Sequence, residues 1–344
     1  MNNKLKNKWV IAAIIAGAII VFAGIFVYYN LFASQFQTEK KAYVYIDRDD
    51  TPDSITVKVE RAGMPRSMNT FKWLMAHLDE AKNIHTGRYL IKPGDGTYPV
   101  FRRLTRGQQA PLNFSINDIR TCGQLAEKIG NQLMIDSAEV AIRLNDSTFC
   151  SKLGFKKETI ISLFIPNTYE IYWNISTADL FKKMKKEYNS FWSNERLSKA
   201  KAIGFTPSEV CTIASIVEEE TNNTAEKPMV AGLYINRLHK GMKLQADPTV
   251  KFAVQNFALK RVTGEYLRSN SPYNTYKFEG LPPGPIRIPS IKGIDAVLNY
   301  TRHNFVYMCA KEDFSGTHNF AATWEEHMVN AKKYQQELNK RKIF

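Results

Sequence analysis

Residues Trp9–Tyr29 form a run of 21 residues without one charged side chain, and no other stretch limits the fold so tightly. As a helix the run is about 31 Å long, which matches the hydrocarbon core of a bilayer. A cleaved signal peptide has a shorter apolar core and a small-residue cleavage site. This run instead ends in Tyr28 and Tyr29, an interfacial aromatic pair, and reads as an uncleaved single-pass anchor. Lys4, Lys6 and Lys8 precede it with no acidic residue, so the positive-inside rule keeps residues 1–8 cytoplasmic and sends everything past Tyr29 outside the cytoplasm.

That compartment decides how the charge is read. The 344 residues are 44% hydrophobic, enough for two ordinary domains or one large one, and carry a formal net charge of +14. Outside the cytoplasm there is no chromosome to bind, so nucleic acid drops out as a partner and anionic lipid headgroups or wall polymer remain. Cys122, Cys150, Cys211 and Cys309 show no metal-type spacing, and their pairing stays open. Nothing supports a metal site, a phosphate loop or a serine nucleophile elbow, and no cofactor is expected.

The expected fold is α+β. After the anchor, residues 30–41 read as a polar stalk and residues 42–116 as a small α/β module. Its strands are expected at Ala42 to Ile46, at Ser54 to Val59 from the alternation of Ile55, Val57 and Val59, and at Arg88 to Ile91. Its helices are expected from Asn69 to about Lys82 and from Tyr98 to Arg106, closed by Gly107. Residues 117–344 read as a larger mixed domain. Ile160 to Trp173 is either a strand and turn between the domains or an aromatic platform for a substrate, and Thr177 to Lys201 is basic and helical. A helix opened by Pro228 stops at Gly241, a short strand precedes Asp247, and a basic amphipathic helix runs from Thr323 to Lys342. Ser271 to Ser290 holds five prolines and two glycines, so it is a stiff loop that displays Tyr273, Asn274, Thr275 and Tyr276.

The stretch FTPSEVCTIASIVEEE, Phe205 to Glu220, organises that domain. Thr206 is a natural N-cap, Pro207 suits the first helical position, and Glu209 completes a capping box. Val210, Ile213, Ala214 and Val217 make one buried face. Glu218 lies roughly 90° to one side of it, Glu220 roughly 70° to the other, and Glu219 opposite, where a solvated role suits it. Acidic residues at a helix C-terminus oppose the macrodipole and call for a reason. For Glu218 the alternatives are a solvated face or a carboxylic acid whose pKa burial has raised. Asp247 is either the N-cap of the helix that Pro248 opens or, with Gln245 and Thr249, part of a polar cluster able to bind sugar hydroxyls. Asn236 is either satisfied in the core or aimed at a ligand. His318 reads as a lone structural histidine.

ASIVEEET, YINRLHKGMKLQADPTV, YNTYKFEGLPPGPI and GTHNF, in this order, closely resemble the endolytic murein transglycosylases of the MltG (YceG-like) family. FIPNTYEIYW, the basic N-terminal anchor and a LysM-like module ahead of the catalytic domain resemble it too. The resemblance implies a single-pass inner-membrane enzyme with its catalytic domain in the periplasm. Its substrate would be peptidoglycan, cut within the glycan strand between N-acetylmuramic acid and N-acetylglucosamine to leave a 1,6-anhydro end. It places the catalytic glutamate at Glu218 and cleft residues at Glu220, Asn236, Gln245, Asp247, Thr249, Tyr273, Asn274 and Tyr276, and suggests coupling to cell-wall synthases. Two features depart from the family pattern. Glu219 stands where a lysine is frequent, and Arg287 to Ser290 replace an Asn-Pro-Gly. The rival expectations are a non-catalytic wall-binding protein and a hydrolase using Asp247 as second carboxylate.

Overall fold

The computed structural model describes residues 2–259 and 261–341, with side chains from Asn7 onward. The side chains of Lys4 and Lys6, and Lys342 at the expected end of the last helix, lie outside the described residues. The chain divides into two compact units, Met1–Asn113 with Tyr169–Ile175, and Phe114–Thr168 with Ser176–Phe344. Both mix helices with small antiparallel sheets.

In the first unit, helix Asn2–Leu31 carries the apolar run, and its Asn7–Leu31 segment is long and apolar enough to cross a membrane, with mean hydropathy 3.0. Of residues 30–41, expected as a stalk, Asn30 and Leu31 end this helix and Gln35, Phe36 and Thr38 are buried. The backbone N–H groups of Gln35 and Phe36 donate to the Asp95 carbonyl at 3.0 and 3.1 Å, and Phe36 is only 1% exposed. Gly96 lies so close that a Cβ there would come within 2.7 Å of the Phe32 carbonyl oxygen. Strands Ala42–Ile46 and Gly87–Ile91 pair antiparallel, Ala42 opposite Ile91.

The strand expected over Ser54 to Val59 is a helix, Pro52–Gly63. Thr51 and Ser54 form a capping box and Pro52 sits in the first turn, so the local start signals favour a helix. Ile55 and Val59 are buried while Val57 is exposed, a spacing of four where an alternation of two had been read.

In the second unit the expected helix is present as Pro207–Glu220. Thr206 Oγ accepts from the Glu209 N–H and the Glu209 carboxylate accepts from the Thr206 N–H, closing the box. Val210, Ile213, Ala214 and Val217 are fully buried. Helices Lys227–His239 and Ile291–Leu298 pack against this glutamate helix. A hairpin of Tyr307–Ala310 and His318–Ala321 follows, Ala310 opposite His318, and then helix Trp324–Lys340.

The short strand expected before Asp247 does not form. Gln245 adopts φ +52°, a left-handed conformation that interrupts extended backbone. Helix Asp247–Ala253 then starts with Ala246 at the cap position, so Asp247 is its first residue and its carboxylate is released from capping. The proline-rich stretch 271–290 contains no helix or strand, yet Asn274 and Thr275 within it are buried. All four cysteines are unbridged.

Candidate active site

The helix stays regular through Glu220, and its three glutamates point into three environments. Glu218 faces inward between helices. Its Oε2 lies 2.7 Å from the Lys227 ammonium and accepts from Ser290 Oγ at 2.8 Å. Gly293 leaves room for it, since a Cβ there would stand 2.6 Å from that oxygen. Glu219 is not solvated as its phase suggested. Its side chain is only 13% exposed and pairs with Arg120 at 3.0 Å and Arg287 at 2.5 Å, and Arg287 also reaches Asp118 at 3.0 Å. Glu219 and Arg287 are therefore joined in one ion pair, which Arg120 and Asp118 extend.

Glu220 faces a cleft of about 420 Å³, whose lining includes Tyr234, Arg237, Gln245, Asp247, Tyr276 and His318. Burial pushes its carboxyl up to about 7. The hydroxyl of Tyr234, donating to Oε1 at 2.7 Å, works against that rise, and the nearby Asp247 adds to it. Such a group holds its proton near neutral pH and can still release it, as a general acid must. Asp247 Oδ1 accepts from the Tyr276 hydroxyl at 2.6 Å, and burial followed by this bond holds the Tyr276 phenol far above its ordinary range. Arg237 donates to Gln245 Oε1 and to the carbonyls of Lys243 and Val306, tying the polar floor to the hairpin.

Part of the lining is aromatic. Tyr307, Trp324 and His327 pack with ring centroids 5.3 to 5.7 Å apart, and Trp324 remains 54% exposed. Burial and the neighbouring Arg237 push the His327 imidazole down, so this ring stays neutral. Polar groups and an aromatic face in one cleft suit a sugar ring, which is polar at its edge and apolar on its faces.

Of the residues singled out from sequence, Glu220, Gln245, Asp247 and Tyr276 line this cleft and Glu218 does not. The remainder build its support. Asn236 donates to the His303 and Phe305 carbonyls at 2.7 and 3.0 Å, which holds the approach to the hairpin. Thr249 bonds Thr275 at 2.8 Å and fixes the loop to the helix start. Buried Asn274 bridges the Leu267 and Ser269 carbonyls, and Tyr273 packs at a tilt against Phe252, ring centroids 4.7 Å apart, with its phenol pushed up to about 12 by burial. Sequence reasoning did not select Tyr234, Arg237, Tyr307, Trp324 or His327. Each sits at ordinary helix or strand spacing, and only the tertiary fold turns it toward the cleft. His318, which reads as structural in the sequence, also lines this cleft.

A mixed helix-and-sheet unit presenting a raised-pKa carboxyl, a second carboxylate and an aromatic wall in one cleft is the architecture of a carbohydrate-processing enzyme. The chain belongs to the YceG-like family, whose profile matches residues 44–333. It is 26% identical over 340 residues to an endolytic murein transglycosylase of Bacillus subtilis (strain 168), covering 94% of this chain and 93% of that protein. It is also 26% identical over 367 residues to a protein of the same name from Streptococcus pneumoniae serotype 2 (strain D39), covering 95% of this chain and 65% of that one. The crystal structure of a YceG-like protein from Listeria monocytogenes shares the fold, with TM-score 0.58 and 24% identity over 85% of this chain and 99% of that chain.

Proposed function

We propose that this protein is an endolytic peptidoglycan lytic transglycosylase that cuts between N-acetylmuramic acid and N-acetylglucosamine and leaves 1,6-anhydro ends. The observation that carries this reading is the Glu220 carboxyl, pushed to about 7 inside a cleft shared with Asp247 and Tyr276. Glu220 donates its proton to the leaving oxygen, so the acid role expected at Glu218 moves two residues along the helix. Glu218, paired with Lys227 and Ser290, positions the helices behind the cleft. Gln245, Asp247 and Tyr276 bind sugar hydroxyls, and Asn236, Thr249, Tyr273 and Asn274 hold those residues in place.

The N-terminal helix is a membrane anchor with its basic end in the cytoplasm and the rest of the chain outside, on the inner membrane. Residues 42–116 form a LysM-like module, a reading supported by the order strand, helices, strand with the two strands antiparallel. Residues 117–344 are the catalytic domain. Coupling to cell-wall synthases belongs to this reading as well.

The test is mass spectrometry of products from purified glycan strands. Wild type yields anhydro-ended fragments and Glu220→Gln yields essentially none. Fragments that gained a water would make the protein a hydrolase, and strands left intact by wild type would make it a wall-binding protein.

A further inference from the structure

Glu226 is a buried carboxylate that this reaction scheme has not used. It is 8% exposed and stands at the start of helix Lys227–His239, where both its oxygens are turned to one residue. Oε1 accepts from the His318 backbone N–H at 2.6 Å, and Oε2 lies 3.0 Å from His318 Nδ1. A carboxylate only accepts, so Nδ1 carries the proton, and in the neutral ring Nε2 is left as the acceptor. His318 opens the second hairpin strand and lines the cleft that holds Glu220, Asp247, Tyr276 and Arg237.

One side-chain oxygen on each of three other residues of the cleft is already engaged. Glu220 Oε1 receives the Tyr234 hydroxyl, Asp247 Oδ1 receives the Tyr276 hydroxyl, and Gln245 Oε1 receives Arg237. An anchored imidazole with its acceptor nitrogen turned from Glu226 is the arrangement of a general base held by a carboxylate.

We infer that His318, oriented by Glu226, is a second catalytic residue and removes the proton from the sugar's own C6 hydroxyl. This rests on the transglycosylase reading above. Glu220 protonates the leaving O4 as the C1–O4 bond breaks, and O6 closes on C1 as His318 Nε2 takes the O6 proton. One glycosidic bond is exchanged for one intramolecular C1–O6 bond, with no water and no redox change. The proton gained by His318 balances the one lost by Glu220, and its return through solvent resets the site. Two groups then serve two oxygens at once, where a lone glutamate would have to serve them in turn.

The test uses the full-length protein in detergent with peptide-free glycan strands, reading anhydro-ended product. His318→Ala is expected to lower kcat at least about a hundredfold with KM within about twofold, and added imidazole is expected to restore part of that rate. Glu226→Gln, which keeps the volume but loses the carboxylate, is expected to fall between the two. Wild-type kcat in His318→Ala overturns the inference, and so does a loss that imidazole leaves untouched, because a structural histidine is not replaced by a diffusing base. If His318→Ala keeps its rate while wild type makes anhydro ends, only this inference fails. If wild type makes none, the transglycosylase reading fails first.

Discussion

The two flanks of the glutamate helix, separated by two residues of sequence, handle a carboxyl in opposite ways. On the Glu218 side a buried ammonium and a serine hydroxyl meet the charge. On the Glu220 side the strongest influence is burial, so the group keeps its own proton up to about 7. A buried ion pair fixes geometry and is costly to break, whereas a protonated carboxyl in a cleft is available for transfer. One side is therefore built for holding and the other for chemistry.

The sharpest way to break this contrast is Glu218→Gln. It leaves the Lys227 side chain, 6% exposed, without a counter-charge, and should destabilise the protein by about 3 to 5 kcal/mol. Thermal melting measures that loss, and turnover per folded molecule should remain within about tenfold of wild type. Loss of turnover without loss of stability would place the chemistry on the Glu218 flank.

Next in size is the pH dependence of stability. Glu220 is raised from 4.5 to about 7, so between those values the folded state holds more protons than the unfolded one. Its stabilising contribution is complete below about pH 4.5 and is lost as pH rises through about 7, by about 3 kcal/mol in total. Glu220→Gln removes this term. Melting curves of wild type should accordingly fall relative to the variant across that window, and parallel curves would contradict the buried acid.

Smaller effects sharpen the picture of the cleft. Tyr234→Phe removes the hydrogen bond that opposes the rise at Glu220, so the alkaline limb of the pH–rate profile should move upward by about 0.7 pH unit. An unmoved limb would mean that another group sets it. Trp324→Ala strips the exposed face of the aromatic wall and should raise KM on glycan strands about fivefold with kcat unchanged. An unchanged KM would remove the sugar from that wall.

Much of this was legible in the sequence. The cap at Thr206, the buried face of Val210, Ile213, Ala214 and Val217, and the separation of Glu218 from Glu220 by helical phase all depend on neighbours a few residues away. What escaped was non-local. Burial of Glu220 depends on Tyr234 and on a hairpin that begins at Tyr307, and the pairing of Glu219 depends on Arg120 and Arg287. Segment 54–59 shows a local limit, since Ile55, Val57 and Val59 satisfy a period of two while Ile55 and Val59 alone satisfy a period of four. Capping chemistry at Thr51 decided between them.

The outer wall of the cleft also has a consequence for how the protein loses activity on heating. Helix Trp324–Lys340 has no fully buried residue, strand Tyr307–Ala310 is half-buried throughout, and Asn236 and Arg237 tie inward only the residues just ahead of that strand. The glutamate helix, by contrast, buries eight consecutive residues, Val210 through Val217. A segment with few buried apolar groups opens at lower free energy than the core it rests on. Amide hydrogens of residues 307–340 should therefore exchange with solvent before those of the glutamate helix, and catalysis should fade while the interior is still folded.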